Sequence, residues 1–117
     1  MSFGIYANGE LIGRCEFEHG DPPMGVVFGQ LLPNSHYPIY QKNFHAGSEQ
    51  SSVSKHDIRL MASAENGAIL QPCSGVAIED YTLLGFDEIT VTLLGLNASV
   101  YEQWFAHHVL SYQTRFN

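Results

Sequence analysis

Two Asn-Gly pairs constrain this chain more than any other feature. Asn8-Gly9-Glu10-Leu11-Ile12-Gly13-Arg14-Cys15 is echoed by Asn66-Gly67-Ala68-Ile69-Leu70-Gln71-Pro72-Cys73, offset by 58 residues at Asn, at Gly and at Cys. The sequence holds no other Asn-Gly pair and no other cysteine. Both central positions of a type I′ turn need positive φ, which Asn and Gly tolerate, so each pair marks a β-hairpin. A second echo follows in the same order: Tyr40 and Phe44 correspond to Tyr101 and Phe105 at an offset of 61. The sequence therefore predicts two related halves, about 1–45 and 56–117, joined by a polar, Ser-rich linker over about 46–55. At 117 residues the whole is one domain.

The first hairpin is predicted from Phe3–Ala7 and 10–17, with Leu11, Gly13, Cys15 and Phe17 on its inner face and Ile12, Arg14, Glu16 and Glu18 on its outer face. His19 to Gly25 reads as a turn. Val26 to Leu32 reads as a buried central strand in which Gly29 lets another backbone approach. Tyr37 to Phe44 is predicted as a short helix that tolerates Pro38 in its first turn. The second half offers strands over 58–62, 68–73, 76–81 and 88–94; the last alternates Ile89, Val91 and Leu93. The clearest helix begins at Ser99-Val100-Tyr101-Glu102, a capping-box pattern with Ser99 as N-cap. It carries Tyr101, Trp104, Phe105, His108 and Tyr112 as a stripe to pack on a sheet. The expected class is α+β: a largely antiparallel sheet or partial barrel built from two pseudo-repeated hairpin–strand–helix halves. An all-β barrel with one C-terminal helix is the alternative.

Charge narrows the function. Twelve acidic residues face five Lys and Arg, a formal charge of −7, and the five bases are scattered. Phosphate backbones and anionic membranes both select clustered bases, so no nucleic acid and no membrane surface is expected as a partner. A basic protein partner fits better. Only 15% of the residues are charged, so part of the surface carries uncharged groups that a homodimer interface would hide. Two cysteines make no disulfide framework, and neither a signal peptide nor an apolar run of transmembrane length is visible. These readings lead to a cytoplasmic setting.

No constellation announces a catalyst, a cofactor or a metal. His107-His108 point about 100° apart on a helix, and His108 belongs to the apolar stripe, so it reads as a core histidine bonded to backbone or to a tyrosine. Cys15, His19 and Asp21 can be written as a trio, but Glu16 and Glu18 supply the wrong field for a reactive thiol. Glu79, Asp80, Asp87 and Glu88 bracket a loop around Thr82 to Phe86, match no calcium-binding loop, and read as a solvated acidic edge fit to face a basic partner. The expected function is a non-enzymatic adaptor, inhibitor or immunity-type protein. The alternative is a small-molecule binder or enzyme with a site between the halves, drawing on His19, Asp21, His36, Tyr37 and His45.

Overall fold

A computed structural model of the chain describes residues 2–46, 58–70 and 75–116. It contains two antiparallel sheets and a C-terminal helix, so the class is α+β. The strands are β1 (Phe3–Ala7), β2 (Glu10–Cys15), β3 (His19–Asp21), β4 (Val26–Gln30), β5 (Leu32–Pro33), β6 (Leu60–Ser63), β7 (Ile69–Leu70), β8 (Gly75–Asp80) and β9 (Ile89–Leu94); the helix is α1 (Ala98–Phe116). One sheet runs β5-β2-β1-β6-β7 and the other β3-β4-β9-β8. Neither closes into a barrel.

The two Asn-Gly pairs make different turns. Asn8 and Gly9 both have positive φ, 51° and 83°, and join β1 to β2 directly, with Ala7 opposite Glu10. Gly67 is left-handed at 90° and Asn66 is not. There the Gly67 amide donates to the Ala64 carbonyl and the Ala64 amide to the Ala68 carbonyl, the three-residue hairpin whose last residue is left-handed. The second turn thus holds one residue more than the first. The predicted equivalence of the halves is weaker than the shared dipeptide implies, and Cys73 lies outside the described residues.

A bulge corrects the face assignment of β2. Ile5 pairs with Gly13 and Tyr6 with Leu11, so Ile12 is the extra residue of the bulge, and it turns inward to full burial. Cys15 and Phe17 are buried as expected. On β9, Ile89, Val91 and Leu93 all face the core, as alternation requires. On β4, a Cβ at Gly29 would lie 3.0 Å from the Glu18 amide nitrogen and 3.0 Å from Cys15 Sγ, so the predicted close approach is real.

Three further expectations change. The segment His19 to Gly25 contains a strand: His19, Gly20 and Asp21 pair with Phe28, Val27 and Val26 before the 3-10 turn Pro22–Met24. Prolines stop a strand but do not forbid three paired residues ahead of them, and the partner β4 supplies the pairing. Tyr37–Ile39 and Gln41–Asn43 are separate 3-10 turns where a helix was expected. The N-cap of α1 is Asn97, whose Oδ1 accepts the Val100 amide at 2.9 Å and the Ser99 hydroxyl at 3.0 Å, so Ser99 lies inside the first turn. Most of the predicted linker falls outside the described residues.

One core joins both sheets to the helix. Phe3, Phe17 and Phe105 meet ring to ring at 5.3 to 5.9 Å between centroids. Phe17 turns the chain from β2 into the second sheet with φ of 48°, wholly buried. A left-handed backbone costs a non-glycine residue about 1–2 kcal/mol. The aromatic cluster offsets that cost, together with two bonds: the Phe17 amide donates to Cys15 Sγ at 3.3 Å, and its carbonyl lies 2.8 Å from His108 Nε2. A carbonyl only accepts, so Nε2 carries the proton. The helix bends at Phe105, whose φ of −130° and ψ of 34° are not helical. Neither proline nor glycine lies within α1, so the usual residue causes of a kink are missing.

Candidate functional site

Two places on this frame collect polar chemistry. The first is built around Asp80, which ends β8 and is completely buried. Its carboxylate accepts the Tyr37 hydroxyl at 2.6 Å, Gln41 Nε2 at 3.1 Å, and both the amide and the hydroxyl of Thr82. Burial alone would raise the Asp80 pKa; the bonds from Thr82, Tyr37 and Gln41 outweigh it, and the carboxyl is held below its ordinary value. The Tyr37 hydroxyl is driven well above its ordinary value, by burial first and then by the carboxylate it serves. The backbone joins the same bracket: the Asp80 amide donates to Phe44 and the Ala46 amide to Asp80, which leaves His45 as a one-residue bridge beside Asp80.

This bracket corrects two site expectations. Asp80 cannot face a partner, and Tyr37, 2% exposed, cannot line an open pocket. The acidic edge is therefore Glu79, Asp87 and Glu88, all exposed. Between them runs a 3-10 turn, Thr82–Leu84, ended by left-handed Gly85. It presents Leu83, Leu84 and Phe86 to solvent at 62%, 54% and 63% exposure. The sequence alone assigns these three no role. The signal that could have found them is an apolar triplet broken by glycine and flanked on both sides by acids.

The second place is a cleft of about 300 Å³ between the β3–β4 edge and the latter part of α1, lined by Glu18, His19, Phe28, His108, Tyr112 and Arg115 among others. The His19 ring stacks on Phe28, its cross-strand partner, at 5.2 Å. One Glu18 oxygen accepts the Gln30 amide at 3.2 Å. The helix comes this close because residue 20 is glycine: a Cβ there would lie 2.5 Å from the Tyr101 hydroxyl and 2.9 Å from the His108 ring. His108, Tyr112 and Arg115 follow at helical spacing, a pattern the sequence displays but which extends the apolar stripe by a cation it did not single out.

The candidate histidines His36 and His45 do not join His19 at the cleft. His36 is exposed and sits 3.0 Å from a Glu10 oxygen, and His45 belongs to the Asp80 bracket. Of the five residues offered for a ligand site, only His19 lines the cleft; Asp21, exposed on the same strand, lies outside its wall. Burial pushes the Cys15 thiol up to about 12, with Glu18 and Glu16 adding to the rise, so the Cys15, His19 and Asp21 trio has no thiolate to offer. Among the described residues no cluster of three or more His, Cys, Asp or Glu is placed to hold a metal ion, and no helix is long and apolar enough to cross a membrane. Comparison with protein-family models, curated proteins and solved structures finds no match to this chain.

Proposed function

We propose that this chain is a non-enzymatic interaction protein of the cytoplasm, of adaptor, inhibitor or immunity type, that docks a basic protein partner through the loop Thr82 to Phe86 and its acidic flanks. The observation that carries the reading is the exposure of Leu83, Leu84 and Phe86 on a turn tied down by the buried Asp80 bracket. Large apolar side chains gathered on a surface mark contact sites, and aromatic or aliphatic anchors dominate binding energy when a partner pocket desolvates them. A braced loop loses little conformational freedom on binding. Glu79, Asp87 and Glu88 give the surroundings a negative field that speeds encounter with a basic surface and disfavours acidic ones. The duplicated origin of the halves belongs to the same proposal: β1 lies beside β6 and β4 beside β9, with β2 and β7, and β3 and β8, on the outer sides of those pairs, an arrangement that supports it.

The test compares the wild-type chain with a Leu83→Ser, Leu84→Ser, Phe86→Ser variant as bait for a cell extract at low and at high ionic strength. The expected result is a basic polypeptide retained by the wild type at low salt, released at high salt and lost with the variant. Retention indifferent to both salt and the variant, or no retention at low salt, overturns the reading. Light scattering on the same pair addresses a second occupant. A wild-type dimer that the variant reduces to monomer would assign the loop to a second copy of this chain and overturn the basic partner.

A further inference from the structure

We infer that the cleft between β3–β4 and α1 binds a small planar aromatic carboxylate, a site distinct from the proposed docking loop. Arg115 lines it, and among the described residues Arg115 makes no ion pair; the single pair found there joins His36 to Glu10. A guanidinium that lines this cleft and makes no ion pair is open to an anion. Its planar fork of N–H donors matches a carboxylate edge to edge. The stacked His19 and Phe28 rings supply the opposite requirement, an aromatic wall; Phe28 is 37% exposed although it sits on an inner strand. An aromatic ring packs against such a wall offset or edge-on. The cleft volume of about 300 Å³ is at the lower end for small-molecule sites, which suits a ligand of one or two rings.

Glu18 decides the charge. It is the one acid in the cleft wall, and it keeps one oxygen bonded to the Gln30 amide. A dianion such as a phosphate monoester would meet this carboxylate as a second repulsive charge, whereas a monoanion can turn its single charge to Arg115 and its ring to Phe28. The ligand class is thus a monoanionic ring carboxylate. No bond is made or broken: the groups in the wall bind and orient.

The experiment titrates the full chain with benzoate, and in parallel with benzamide, acetate and inorganic phosphate, followed by amide and side-chain NMR shifts. Benzoate is expected to saturate shifts at His19, Phe28 and Arg115, with benzamide and acetate each at least about tenfold weaker and phosphate weaker still. Arg115→Gln is expected to weaken benzoate about tenfold, the scale of one charge-assisted contact. Glu18→Gln is expected to narrow the gap between benzoate and phosphate. Unfolding curves of both variants check that the fold is intact; both positions are exposed, so little change is expected there. Equal binding of benzamide and benzoate, shifts centred away from the cleft, undiminished affinity in a folded Arg115→Gln chain, or no benzoate-induced shifts overturns the inference. The loop variant that tests the docking surface leaves the cleft residues untouched, so either proposal can fail alone.

Discussion

Asp80 and His108 are both buried polar side chains, and they hold segments in place by opposite means. Asp80 is saturated: a hydroxyl, an amide side chain and both donors of Thr82 converge on one carboxylate within a bracket of short turns. His108 makes one bond, to the Phe17 carbonyl, across 91 residues of sequence. That bond serves a corner that is unfavourable in its own backbone and is held mainly by three phenylalanine rings. A saturated charge braces by hydrogen bonds, and its removal strands several donors at once. A single neutral bond helps to orient a corner that packing already holds.

The sharpest way to break this comparison is at Phe17 itself. Phe17→Ala should destabilise the chain by about 4 kcal/mol, the usual cost of deleting a buried aromatic side chain, read from urea unfolding. Phe17→Gly should be no less stable than Phe17→Ala, because glycine enters the left-handed region freely. If the glycine variant is instead weaker by the roughly 1 kcal/mol that glycine costs in ordinary backbone, the corner is not left-handed in solution.

Asp80→Ala comes next, at about 3 kcal/mol, since Tyr37, Gln41 and Thr82 all lose a charged acceptor. His108→Phe, which fills the space but leaves the Phe17 carbonyl unpaired, should cost about 1.5 kcal/mol. Equal costs for the two would dissolve the contrast between them.

Acid unfolding separates them in a different way. The Asp80 carboxyl titrates below its ordinary value when folded, so its stabilisation is complete above the unfolded carboxylate range near pH 4. It is lost as pH falls through the lower folded value. Asp80→Asn should flatten the decline in stability below pH 4, by on the order of 1 kcal/mol for each unit by which the folded value is depressed. An unchanged acid slope would mean that other carboxylates account for it.

The smallest effects distinguish the two Asn-Gly turns. Asn8 has positive φ and its side chain accepts the Arg59 amide at 2.9 Å, tying the first hairpin to the residue ahead of β6. Asn66 keeps ordinary φ and its side chain accepts the Ala68 amide within its own turn. Asn8→Ala should cost about 1.5 kcal/mol and Asn66→Ala about 0.5 kcal/mol, from the left-handed penalty added to one hydrogen bond in the first case. Equal melting temperatures for the two variants would restore the equivalence that the sequence echo implies.

Much of this protein was legible from short-range pattern. Asn8-Gly9 specified a type I′ hairpin, alternation at Ile89, Val91 and Leu93 specified a half-buried strand, and the spacing of Tyr101, Phe105 and His108 specified the buried face of a helix, down to a histidine bonded to backbone. Each depends on residues within about one turn or one strand of each other, where φ preference and side-chain period act directly. Tertiary structure decided the rest. Only a partner strand could pair His19, Gly20 and Asp21 ahead of two prolines, and only the register with β1 could turn Ile12 inward. Asp80 looked like one acid among four until Tyr37 and Gln41 arrived from some forty residues away to make it a buried anchor. The cleft is walled by α1 on one side and by β3 and β4 on the other, with the helix packed against Gly20, a meeting of distant segments that no local preference encodes.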